Sequence, residues 1–239
     1  AELTKKNEKM HYNHIIGQKT AISKLTTKAT VYRKGIVTAQ PAILAPYGCG
    51  KSTITKAFGA QICADGAGEF FYYEKGNQLR IQEDFASAVG LWRHAMKFRP
   101  VVVAIDEAHL IVDKQQAEKP ITASGWLLSI LMQSALAAQQ GKKSAVIEYG
   151  ETSFLWEAEK MLFVLATNYW EKFDEAFRSR WDQVQLEIPN KKELLQILAL
   201  KLNERELRYN EETVSVLANV CSESPRLIDT LTSNLSDKA

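Results

Sequence analysis

Ala45-Pro46-Tyr47-Gly48-Cys49-Gly50-Lys51-Ser52-Thr53 is the stretch that decides the reading of this chain. An apolar run, Ala42-Ile43-Leu44, precedes it, and a helix-like segment, Thr53 to Ile62, follows. Strand, glycine-rich loop and helix in that order are the layout of a phosphate-binding loop. Gly48 and Gly50 let the backbone approach a ligand closely and turn its N–H groups inward. A helix starting near Lys51 adds the positive end of its dipole. Pro46, Tyr47, Gly48, Cys49, Gly50, Lys51, Ser52 and Thr53 are therefore the candidate nucleotide-binding residues. Among them Lys51 is placed to reach β- and γ-phosphates, and the Ser52 hydroxyl is a candidate Mg²⁺ ligand. The usual pattern is G-x-x-x-x-G-K-[ST]. Ala45 stands where its first Gly is expected, which matters only if the position requires φ > 0. A glycine-rich turn with no ligand is the competing reading, and the strand before and helix after weigh against it.

Downstream, Asp65 to Gly68 reads as a loop, Glu69 to Tyr73 as a second strand and Ile81 to Phe98 as a helix. Phe85, Val89, Trp92 and Met96 fall on one helical face. Val101-Val102-Val103-Ala104-Ile105 is an uninterrupted apolar run that suits a central parallel strand covered on both faces. It ends in Asp106-Glu107. Two acids there are expensive to bury unless they serve a cation or a reaction. Asp106 is the candidate for the Mg²⁺ shell, and Glu107 the candidate base for an attacking water. His109, a lone histidine after the acids, reads as structural rather than catalytic. A polar loop, Asp113 to Ser124, leads to a helix from Trp126 to about Gln140, and Ser144 to Trp156 reads as a hairpin. The strand Met161 to Ala166 ends in Thr167-Asn168, and Asn168 is the candidate to orient the water or touch a γ-phosphate. Arg178-Ser179-Arg180 closes a short helix, Val184 to Ile188 forms a fifth strand, and Pro189-Asn190 breaks the chain. Three helices follow: Lys191 to about Leu207, Glu211 to Val220, and one opened by Ser224-Pro225-Arg226.

Upstream, a helix running to about Tyr32 places Ile22, Leu25, Ala29 and Tyr32 on one face, with Lys24 and Lys28 on another. That basic face reads first as solvated and second as a nucleic-acid contact. The 239 residues carry a net charge of only +2, so any nucleic-acid contact must come from a local patch. Cys49, Cys63 and Cys221 form no C-x-x-C pair. They suggest neither a disulfide framework nor a zinc site and fit a reducing cytoplasm. No long uncharged apolar run predicts a membrane span. The polar stretch Ala1 to Asn13 is unlike a signal peptide, and the missing initiating Met suggests processing or trimming.

Together these motifs resemble the AAA+ ATPases. The resemblance rests on Ile15-Ile16-Gly17-Gln18, the Walker A loop at 45–53, the Walker B segment at 101–107, the sensor-1-like Asn168, Arg178-Ser179-Arg180 and the sensor-2-like Ser224-Pro225-Arg226. It implies an α/β P-loop NTPase fold: a three-layer αβα core with a parallel five-stranded sheet, then a small all-helical lid. The corresponding division is 1–13 extension, 14–189 core and 190–239 lid. It implies ATP and Mg²⁺ as cofactors. On the resemblance, Ile15 and Ile16 would pack beside the adenine, Arg180 (or alternatively Arg178) would act as an arginine finger in a neighbouring subunit's site, and Arg226 would report the γ-phosphate state. It also implies a homo-oligomeric ring, usually of six. The hairpin, the Arg-Ser-Arg-aromatic segment and the compact lid resemble the RuvB-type Holliday-junction motors, in which a winged-helix DNA-binding domain normally follows; this sequence stops at Ala239.

Three functions fit that resemblance. One is a nucleic-acid motor or loader, for which Lys19, Lys24, Lys28 and Lys34 are the local basic residues. Another is a protein-remodelling ATPase that meets its partner through the hairpin aromatics Tyr149, Phe154 and Trp156. The third is an ATP-switched assembly scaffold. Cys49 sits near a helix N-terminus, where thiol pKa values tend to fall. Its alkylation is accordingly expected to block nucleotide binding, with an inert small residue as the equal alternative.

Overall fold

The structure, a computed structural model, describes residues 15–112, 122–207, 209–221 and 227–236. The extension 1–13, most of the loop 113–124 and Ser224-Pro225-Arg226 lie outside the described residues. In chain order the elements are α1 (Lys19–Arg33), β1 (Gln40–Leu44), α2 (Lys51–Ile62), β2 (Glu69–Tyr73), α3 (Gln82–Met96), β3 (Val101–Ile105) and α4 (Ala123–Gln139). They continue with β4 (Ser144–Tyr149), β5 (Thr152–Glu157), β6 (Met161–Thr167), α5 (Glu175–Arg178), β7 (Trp181–Gln185), α6 (Lys191–Glu204), α7 (Glu211–Cys221) and α8 (Leu227–Ser236).

Five strands form one parallel sheet in the order β2-β3-β6-β1-β7, and β4 and β5 pair as a separate antiparallel hairpin. Parallel strands need covering on both faces, and the sequence supplies apolar residues for both. On β3, Val101, Val103 and Ile105 join a cluster with α3, α4 and the hairpin, while Val102 and Ala104 join one with α1 and α2. The result is the three-layer αβα core. Trp92 anchors the first cluster: it is fully buried among Tyr73, Phe85 and Phe163 and donates its indole N–H to Tyr73 Oη at 3.1 Å. On the other face Gly59 lets α2 lie against β2, because a Cβ there would fall 2.1 Å from the Phe70 ring. Helices α6 to α8 bury Leu194, Leu198, Leu202, Val214, Ala218, Cys221 and Ile228 on one another in a third cluster.

Two expectations change. The last strand occupies 181–185 rather than 184–188. Trp181 is buried beside Phe177 and pairs in register with Gln40, which starts the strand earlier. The chain leaves the sheet soon after Leu186, because the Gln18 side chain takes both backbone groups of Glu187, at 2.7 and 2.9 Å. The hairpin aromatics are the second change. Strand alternation turns Phe154 and Trp156 inward, where they are 9% and 1% exposed against Trp126 and Phe163. The outward cross-strand pair is Val146 and Leu155, more than half exposed. Tyr149's side chain lies outside the description.

Register fixes where chemistry gathers. Leu44 pairs with Thr167 and Ile105 with Leu165. The C-terminal ends of β1, β3 and β6, and so residues 45–52, 106–107 and 168, meet at one edge of the sheet. In doubly wound sheets ligands bind outside that edge.

Candidate nucleotide site

The loop after β1 turns through Gly48 and Gly50, both at φ 80°. Ala45 is buried and keeps a negative φ, so the missing first glycine costs nothing here. Helix α2 begins at Lys51 with Gly50 as its N-cap and no side-chain cap. Its first N–H groups therefore open toward the loop. Lys51 is 6% exposed, and its Nζ donates to the carbonyls of Ala45 at 3.3 Å and Pro46 at 3.2 Å. Burial pulls its pKa down, while Glu107 and Asp106 hold it up. Ser52 and Thr53 stand exposed on the first turn.

Asp106 is 3% exposed. Its Oδ1 accepts from the Glu107 N–H at 2.8 Å and its Oδ2 from the Tyr72 hydroxyl at 2.8 Å. Glu107 itself has φ 45° and ψ 43°. A non-glycine residue in that left-handed region is uncommon and tends to mark functional turns. His109 is buried. Its Nδ1 lies 3.1 Å from Thr167 Oγ1 and 3.5 Å from Glu107 Oε2, and its ring packs on Tyr169 at 4.7 Å. Burial, with Lys172 and Lys51 adding to it, pushes its pKa down. The imidazole is neutral near pH 7, so the approach to Glu107 is not an ion pair.

Asn168 stands at the end of β6 with both amide atoms buried and without a hydrogen-bond partner. It lies near enough to the Tyr47 hydroxyl to favour that group's ionised form, but no bond of hydrogen-bond geometry joins them. Tyr47 and Tyr169 share a hydroxyl–hydroxyl bond of 2.7 Å, which ties the glycine loop to the turn after Asn168. Neither this strap nor Tyr72 is marked by any motif; both depend on which residues the sheet brings opposite each other.

Other residues are placed elsewhere. Ile15 and Ile16 are half-buried just before α1, and Ile15 packs on the α1–α2 cluster. Beside them Gly17 (φ 73°) lets the chain pass the Glu193 carboxylate, which a Cβ would meet at 2.7 Å. Arg178 and Arg180 are not brought to this edge. They precede β7, whose first residue pairs with the start of β1. The span between the two edges is about 16 Å, five residues at roughly 3.3 Å each. Lys28, half of the basic face read on α1, is tied to Asp182 at 2.9 Å and to the Ala39 carbonyl. It belongs to the fold. Cys49 corrects its expectation: it is 4% exposed, and burial pushes its thiol pKa up against the pull of Lys51. A buried, protonated thiol is a poor nucleophile, so the inert reading holds. Arg226 lies outside the described residues.

Among the described residues no helix is long and apolar enough to cross a membrane. No curated protein matches the sequence significantly. Solved structures match the fold. The RuvB Holliday junction branch migration motor of Thermotoga maritima aligns with TM-score 0.69 and 18% identity, over 97% of this chain and 65% of that one. A point mutant of the same motor aligns with TM-score 0.70 and 18% identity over 98% and 66%. The AAA domain of FIGL-1 in complex with ADP aligns with TM-score 0.69 and 16% identity over 96% and 73%. The chain thus spans just under two thirds of the RuvB structures, and identities this low establish shared fold alone. The sequence itself carries the family: residues 42–189, from β1 through the chain break after β7, match the ATPase family associated with various cellular activities, and the chain belongs to that AAA family.

Proposed function

We propose that the chain binds ATP with Mg²⁺ on the amides of Gly48 to Ser52 and hydrolyses it between copies of itself. The observation that carries this is Asn168. A buried amide with no partner costs about 1–3 kcal/mol, and here it faces the one edge where the glycine loop, Lys51 and two acids meet. A γ-phosphate or an attacking water satisfies it. The donor set fits the metal as well. Mg²⁺ is characteristically held by one or two carboxylates plus phosphates, and Asp106 just after β3 and the exposed Ser52 on the first turn of α2 would be its protein contacts. When bound, the ion neutralises charge on the phosphates.

The remaining roles follow from position. Lys51 exchanges its two carbonyl partners for β- and γ-phosphate oxygens. Glu107 accepts the proton of the attacking water, and Asn168 orients that water. Ile15 and Ile16 flank the adenine, with residues 14–189 as core, 190–239 as lid and 1–13 as extension. Arg226 reports the γ-phosphate to that lid, and a neighbour's Arg180 completes the site in a ring, six being the usual number. Lys51→Ala is expected to weaken ATP affinity about 10- to 150-fold, the equivalent of one charged hydrogen bond of about 1.5–3 kcal/mol. Unchanged affinity and turnover, measured by fluorescent-nucleotide titration and phosphate release, would overturn the proposal.

For the substrate we favour nucleic acid: a motor or loader. Its ATPase is then stimulated by duplex or single-stranded DNA at low salt, with binding that falls steeply as salt rises. A second reading has its own support. The outward pair Val146 and Leu155 lies beside Glu148 and beside a Glu157 that pairs with Lys160 at 2.6 Å, and its exposed apolar area suits a protein better than a phosphate backbone. No DNA stimulation, together with a protein retained by the Glu107→Gln form in ATP, decides for remodelling.

A further inference from the structure

We infer that Tyr72 is a positioning residue for the metal side of this site: its hydroxyl holds the Asp106 carboxylate in the orientation from which Asp106 and Ser52 serve Mg²⁺. The inference rests on the nucleotide reading above and goes one layer outward from it.

Tyr72 belongs to β2, an edge strand, and pairs in register with Ala104 of β3. Its side chain shares the α2 face of the sheet with Phe70. From there it reaches past the end of β3 to Asp106 Oδ2 at 2.8 Å. The other oxygen of the same carboxylate is taken by the Glu107 N–H at 2.8 Å. Each oxygen therefore has a donor fixed to a different element, and the carboxylate plane has no freedom to turn. The tyrosine ring is itself held: the Lys56 ammonium, one turn into α2, lies 4.6 Å from its centroid, and Phe70 packs at 6.3 Å. The Tyr72 hydroxyl thus donates to one of the two residues that would meet the ion, from a ring held on α2, the helix that carries the other.

Carboxylates on a metal owe part of their affinity to the partners that orient them, and removing such a partner typically costs about 10–100-fold in metal affinity. Tyr72→Phe keeps the ring, its packing and its contact with Lys56 and removes only the oxygen. The experiment is a fluorescent-ATP titration of the full chain in EDTA and over a range of Mg²⁺ concentrations. In EDTA, Tyr72→Phe is expected to bind as the wild type does. The Mg²⁺ concentration that gives half of the metal-dependent gain in affinity is expected to rise about 10-fold or more. Placed on Asp106→Ala, which removes the acceptor, the substitution adds nothing. An unchanged Mg²⁺ dependence overturns the inference. So does an equal loss in EDTA and Mg²⁺, which a packing role would give, or a full additional loss on Asp106→Ala. A wild-type chain that binds no ATP in either condition would instead defeat the nucleotide reading itself.

Discussion

Glu107→Gln is expected to leave ATP affinity within a few-fold of wild type and to lower kcat by about 10²–10⁴, the range for loss of a positioned general base. The side chain keeps its length and shape but can no longer take a proton. Its surroundings argue that the carboxylate is placed for that task. The backbone is held at φ 45°, a conformation that ordinary strand ends do not adopt. The neighbouring Asp106 is locked by its own donors and is not free to substitute. His109 comes within 3.5 Å of Glu107 Oε2, yet its lowered pKa keeps it neutral and its Nδ1 is shared with Thr167. Single-turnover hydrolysis beside a nucleotide titration separates the two effects. A kcat within tenfold of wild type would remove Glu107 from the role of base and leave it as a turn residue.

The loop, the acid pair and Asn168 were legible because each is local: an apolar run, then a polar residue where the run stops. Periodicity likewise located β2 and β3 to the residue and the buried face of α3, since uninterrupted apolar runs and i, i+4 spacing leave few alternatives. The contacts that tune the site were not legible, because they join residues far apart in sequence. Tyr72 meets Asp106 only through the β2–β3 register. Tyr47 meets Tyr169, and Gln18 meets Glu187, across 122 and 169 residues. A run such as Phe70-Phe71-Tyr72-Tyr73 carries no sign of which ring faces α2. The hairpin misled for a related reason: three aromatics read as a contact surface, whereas the two whose side chains are described serve the core and leave Val146 and Leu155 outside. The early start of β7 has the same origin, since a buried Trp181 next to paired arginines looks like the end of a helix until Gln40 is seen opposite it.

Arg180→Ala carries the largest expected effect: a loss of about 10³–10⁵ in kcat at concentrations where the wild type is assembled, the usual worth of an arginine finger. Nucleotide affinity in the altered chain should hold, because its own loop is untouched and the arginine sits at the opposite edge of the sheet. That distance is the argument. A guanidinium about one strand length from its own phosphate loop, roughly 16 Å, serves that loop in no conformation of a packed sheet, so under the proposed shared site it would act in another copy. Among the described residues neither Arg178 nor Arg180 pairs with a carboxylate. Arg180 donates to the adjacent Ser179 hydroxyl at 3.0 Å and lines a cavity of about 380 Å³ between α4 and the starts of β1 and β6. Arg178 has its Nε buried without a partner. Mixing provides the decisive measurement. Lys51→Ala lacks a working loop but keeps the arginine, and Arg180→Ala keeps the loop but lacks the arginine. Each is nearly inactive alone, and their mixture should recover part of the wild-type rate, because a Lys51→Ala chain completes the site of its neighbour. Wild-type specific activity should also rise with protein concentration. A mixture no better than its parts, or an Arg180→Ala chain that hydrolyses ATP at the wild-type rate, would sink the shared-site account; the same loss in Arg178→Ala instead would move the finger two residues upstream.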